Sequence, residues 1–249
     1  MPQMTTIIPG FLIVVGGLFG GVIASNFAKL VILAKLAQYH RNSLKFGGDD
    51  YALVKDNKVN FAKIVPGCEC YLWAVVAGLA FPYISVEYPY PASLLIILAM
   101  SVLIVMSFVD FAVRIAPFEL TVVLYLFAGC YAFVTYSFQA CVAVFVLSLL
   151  CFVVLKALNC LATFKGGDVL IGNGDVRVIP ACIIMLGFGG SITMLLVTAI
   201  LPLLWMFMKW VAGVKTSVKD RIALIPYLSL GFIAGFSNGA FSGLAIGGF

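Results

Sequence analysis

From Ala92 to Val109 the chain passes through about 18 residues without one charged side chain, close to the length that crosses the hydrocarbon core of a bilayer, and then meets Asp110. Backbone N–H and C=O groups in hydrocarbon must be satisfied within their own segment, so a run of this kind is a helix. Similar runs, bounded by charges or by Pro and Gly, occupy Ile7–Ala34, Cys70–Val86, Pro117–Tyr136, Phe138–Leu158, Val176–Phe188, Ser191–Val211 and Leu224–Phe241. The sixth in chain order, Val176–Phe188, is short for a span, which usually needs about 20 residues. Composition agrees with the runs. The chain is 63% hydrophobic and 10% charged, whereas a soluble domain is roughly half apolar and a quarter charged. The expected fold class is therefore all-α: a polytopic transmembrane helix bundle of about eight spans, one membrane domain over residues 1–249, with lipid as its main partner.

The basic residues test that count. Met1 to Thr6 carries no Lys or Arg, so the first run reads as a permanent helix and not as a cleavable signal. With the N-terminus outside, the loop over 36–67 is cytoplasmic and contains Arg41, Lys45, Lys55, Lys58 and Lys63. Alternating spans then bring Arg114, Lys156, Lys165, Arg177, Lys209, Lys215, Lys219 and Arg221 to the same side. Together with Lys29 and Lys35 these are all 15 Lys and Arg of the chain. The positive-inside rule expects this one-sidedness in the cytoplasmic membrane. The basic loop suits topology and headgroup contact, and nucleic acid is not an expected partner. His40 in that loop has no second ligand at metal-binding spacing and reads as a solvated histidine. Gly16, Gly17, Gly20 and Gly21 suit close helix packing. Of seven cysteines, Cys130, Cys141, Cys151, Cys160 and Cys182 lie in apolar runs, where a free thiol packs as a small hydrophobe.

Most of the ten acids sit in loops or near helix ends: Asp49, Asp50, Asp56, Glu69, Glu87, Glu119 and Asp220. Asp110 and Asp175 differ, because each adjoins an apolar run on the cytoplasmic side. An ionisable side chain at membrane depth is costly and is by default a functional candidate. Two carboxyl groups held within a few ångströms retain one proton between them. The ionised member can then draw a proton from water while the protonated member polarises a peptide carbonyl. Gly172 and Gly174, just ahead of Asp175, leave room for a tight turn and for an extended substrate. This chemistry needs neither a metal nor a cofactor. Asp168, in Lys165-Gly166-Gly167-Asp168, lacks the first glycine of that pattern and reads as a connecting-loop residue.

Gly172-Asn173-Gly174-Asp175-Val176-Arg177 resembles the G-x-G-D-V-K/R signature of the type IV prepilin leader peptidases, a family of GxGD aspartic membrane proteases. Asp110 to Pro117, with Arg114 and Ile115 between, resembles the family's other aspartate segment, although Ala116 separates Ile from Pro here. Arg221 to Gly231 resembles the Pro-containing opening of the family's last helix, and Gly21 to Asn26 loosely resembles part of its first. The resemblance implies that Asp110 and Asp175 are catalytic, with Gly172, Gly174, Arg114 and Arg177 supporting them. It implies cleavage of the short basic leader from prepilins or pseudopilins at the cytoplasmic face. Many family members carry two Cys-x-x-Cys pairs in the first cytoplasmic loop, tied to N-methylation of the product. This chain has Cys68-x-Cys70 alone, short of four zinc ligands, so neither zinc nor methyl transfer is expected.

Two other readings stay open at the level of sequence. A small transporter or channel could use Asp110 and Asp175 as proton or cation sites, but it would favour carboxylates near the midplane and an inverted repeat. Neither is evident. Alternatively, both aspartates merely cap helix ends at the interface.

Overall fold

A computed structural model describes residues 68–113, 116–164, 171–212 and 223–246, with no strand among them. The expected first span Ile7–Ala34 with its glycines, the loop over 36–67 with His40, and Asp168 lie outside the described residues. Six helices are described: α1 (Cys68–Glu87), α2 (Ala92–Val113), α3 (Phe118–Thr135), α4 (Phe138–Phe164), α5 (Asp175–Val211) and α6 (Ile225–Ile246). Of these, α2, α3, α4 and α5 are long and apolar enough to cross a membrane. The chain divides into two compact units, residues 1–82 and 83–249. The first is described only over the opening part of α1, where Ala77, Ala80 and Phe81 are buried. Everything that follows belongs to the second.

Within that unit α2 packs on α3 and α6, while α5 packs on α3, α4 and α6. Burial separates centre from periphery. The apolar window of α2 is 61% buried and that of α4 only 17%. Phe145, Leu149, Val153 and Leu161 of α4 are exposed. In water such a continuous apolar face would be an association hazard, and in a bilayer it is the surface that lipid covers.

The ends of the expected helices hold to within a residue or two for α3. By contrast α2 continues past Asp110 to Val113, so that Asp110 lies inside the helix instead of ending it. The stretches expected over Val176–Phe188 and Ser191–Val211 form one element, α5, broken at Gly187. Gly187 has φ 64° and ψ −166°, a conformation essentially confined to glycine.

The contacts fix the direction of each part of α5. Helix α6 runs antiparallel to α2, since the Ile225 N–H bonds Asp110 near one end and the Tyr88 hydroxyl donates to the Phe236 carbonyl near the other. The limb after Gly187 is antiparallel to α6: Gly190 lies against Gly235, and Met194 and Thr198 lie against Gly231. The limb before Gly187 starts on the Asp110 side and ends with Leu186 against Gly190 and Gly235. The two limbs therefore run in opposite directions, and the chain turns back at Gly187. Tyr136 donates to the Met185 carbonyl at 2.7 Å, covering a carbonyl at the end of the first limb, and the Ser191 hydroxyl donates to the Gly187 carbonyl.

The first limb, Asp175–Leu186, is about 18 Å long at 1.5 Å per residue and buried at nearly every position from Val176 onward. Being apolar on all sides, it belongs in the middle of a bundle. Ser148 on α4 steadies it by donating to the Pro180 carbonyl at 2.9 Å.

Candidate active site

Asp110 sits in the last turns of α2 and is 7% exposed. Its Oδ2 accepts the backbone N–H of Ile225 at 3.2 Å. Ile225 opens α6, and the first N–H groups of a helix have no partner within it. Asp110 thus covers an open donor of another helix, in the position where a negative charge also meets the positive end of the helix dipole. One turn earlier, the Ser107 hydroxyl lies 2.8 Å from the Ser229 hydroxyl, and Ser107 also donates to the Leu103 carbonyl. These polar contacts fasten α2 to α6 beside the carboxylate.

Asp175 is the first residue of α5, where an acidic side chain is favoured by the same dipole. The turn before it closes through backbone bonds: the Gly172 carbonyl accepts from Val176, and the Gly174 carbonyl accepts from Arg177 and Val178. Gly174 has φ −68° and ψ −50°, an ordinary helical conformation. The requirement for glycine here is room, not an unusual backbone angle. A Cβ on Gly174 would overlap the Cβ of Ala116, and one on Gly172 would lie 2.7 Å from Asp175 Oδ2.

Asp110 and Asp175 are electrostatic neighbours, close enough for the charge on one to act on the other. The structure therefore brings together the two carboxyl groups singled out from sequence. Arg177 is exposed, its guanidinium 5.6 Å from the centre of the Phe118 ring at the start of α3. Arg114 lies outside the described residues.

Three residues at this site are not among those the sequence marks as site residues. Ala116, which reads as a departure in spacing, is the contact between the connection after α2 and the turn before Asp175. Asn159 on α4 bonds both backbone groups of Ile171, next to Gly172. Lys156, one turn before it, reaches Asn173 Oδ1 at 3.4 Å. All three are ordinary residue types in or beside apolar runs, and only an arrangement in space distinguishes them. Comparisons with protein families, with curated proteins and with solved structures find no match.

Proposed function

We propose that this chain is a membrane-embedded aspartic endopeptidase that removes the short basic leader from type IV prepilins or pseudopilins. The observation that carries this reading is the pairing of Asp110 and Asp175, which arrive from separate helices and become electrostatic neighbours at one end of the bundle. Two carboxyl groups so placed suit the sharing of one proton. The ionised member takes a proton from water, and the water oxygen attacks the peptide carbonyl. The protonated member polarises that carbonyl, and the departing amine collects a proton as the intermediate collapses. Of the motif residues, Gly172 and Gly174 form the turn before Asp175, Arg177 follows it by two positions, and Arg114 belongs to the sequence pattern that includes Asp110.

The reading assigns about eight spans, an outside N-terminus and an active site on the cytoplasmic side of the cytoplasmic membrane, in line with the one-sided Lys and Arg. The transporter alternative draws less support. The break at Gly187 lies at the far end of its limb from the carboxylates, whereas broken helices in transporters place the break at the binding site.

Purified protein reconstituted with a prepilin should release the leader, with the mature N-terminus unmethylated even when S-adenosylmethionine is present. Mass spectrometry of the product measures both. Intact prepilin with every substrate tried, together with proton-coupled transport lost in Asp110→Asn, would replace this function with the transporter.

A further inference from the structure

Asp175 follows a turn with glycine on both sides of Asn173. Glycine leaves a backbone loose, and a catalytic group must be held to within about half an ångström. Helix α5 cannot hold its own first residue from behind, so the restraint has to come from another element. Asn159 supplies it. Its Nδ2 donates to the Ile171 carbonyl at 2.7 Å and its Oδ1 accepts the Ile171 N–H at 3.0 Å.

A side-chain amide has the same donor and acceptor edge as a peptide. Two parallel bonds to one residue therefore fix its orientation as well as its position, as a neighbouring strand would. Asn159 is 7% exposed, and its own helix is continued by Thr163, which donates to the Asn159 carbonyl at 3.1 Å. The restraint passes on through few bonds. Gly172 follows Ile171 directly, and its carbonyl accepts the Val176 N–H that closes the first turn of α5 around Asp175. Ile171 is only partly buried, so loss of the amide would hand its two backbone groups to water and leave the turn without this restraint.

We propose that Asn159 is a positioning residue: its paired hydrogen bonds to Ile171 hold the Gly172–Gly174 turn so that Asp175 faces Asp110. As a statement about catalysis this rests on the peptidase reading above. The clamp and its effect on the carboxyl pair can also be measured without substrate.

Asn159→Leu keeps the size and removes both bonds. In the cleaving enzyme its kcat should fall about 10- to 100-fold with KM for the prepilin within about twofold, because a carboxyl group displaced by an ångström costs rate more than binding. Asn159→Gln, which keeps the amide one methylene further out, should recover part of the loss. Cys160→Ala, at the exposed neighbour of Asn159 on α4, should retain full activity. Infrared-monitored titration supplies the second readout. The carboxyl band of the pair, assigned by its loss in Asp175→Asn, should titrate at a different pH in Asn159→Leu than in the parent. Amide exchange at Ile171 should rise about tenfold or more once its bonds are gone. An unchanged titration and unchanged Ile171 exchange in folded Asn159→Leu would overturn the proposal. So would kcat falling only in proportion to the folded fraction. If the parent protein cleaves no prepilin, the peptidase reading fails, and the titration and exchange results still decide whether Asn159 positions the pair.

Discussion

Asp110 lies within the last turns of α2, whose apolar window is 61% buried, whereas Asp175 opens α5 on a turn with a glycine either side of Asn173. The first carboxyl group is carried within a continuous helix, with its Oδ2 on the Ile225 N–H at the start of α6. The second depends on contacts from elsewhere: Ala116 against Gly174, and Asn159 against Ile171. The two carboxyl groups are thus held differently, one inside a helix that runs past it and the other at a helix start whose preceding turn is braced by other elements. The difference teaches where the site should be fragile. Substitutions around Asp175 that never touch the carboxyl group should cost activity, and comparable ones around Asp110 should be tolerated.

The largest effect should erase the distinction. Asp110→Asn and Asp175→Asn should each lower leader cleavage by about 10³-fold or more while the protein stays in the membrane at normal levels, and the double variant should be no worse than either single one. Asn keeps the shape of Asp but cannot accept the proton from water. Cleavage kinetics measure this, with Asp168→Asn as the active control. Substantial activity in either single variant would remove the pair as the seat of catalysis.

A smaller effect separates the two sides. Gly174→Ala introduces a methyl group that overlaps Ala116, and crowding of that kind costs about 1–3 kcal/mol. Cleavage should drop about tenfold or more as the turn shifts. Ala116→Gly should restore much of the loss when combined with it, so that the double-mutant cycle reports a coupling well outside additivity. Gly172→Ala directs its new methyl at Asp175 Oδ2 instead and should not be rescued by Ala116→Gly. Rates and melting temperatures of the four variants in detergent measure the cycle, and strict additivity would mean that the connection after α2 does not brace the turn.

The smallest effect falls on the Asp110 side. Ser107→Ala removes the hydroxyl pair with Ser229, but Ser229 can still donate its one proton to the Ile225 carbonyl, with that of Leu103 as the alternative, so its hydroxyl keeps a partner. Stability should fall by about 1 kcal/mol or less, seen as a small decrease in melting temperature, and cleavage should stay within about twofold. A loss as large as that of Gly174→Ala would show that Asp110 is cross-braced after all and would dissolve the contrast.

Much of the helical framework was legible in the residues. The runs over Ala92–Asp110 and Pro117–Tyr136 correspond closely to α2 and α3, because a helix in lipid closes its hydrogen bonds locally and a run of apolar side chains marks where that happens. Asp110 stood out for a related reason, as a charge at the end of a long uncharged segment, and Asp175 as the acid of Gly172-Asn173-Gly174-Asp175 just before an apolar one. The end of α2 was less legible. Phe111 to Val113 continue the helix beyond the charge, and a charge breaks a hydropathy pattern without breaking a backbone.

The residues alone thus determined an all-helical membrane chain with two conspicuous carboxyl groups, since hydropathy and helix closure act over a few neighbouring positions. Tertiary structure decided the rest. It brought Asp175 to the side of Asp110, fitted Ala116 into the space left by Gly174, and set Asn159 on the backbone of Ile171. An Asn just past an apolar run reads the same whatever it bonds. Contacts of this kind join residues far apart in the chain, and their energy depends on distances that no local pattern encodes.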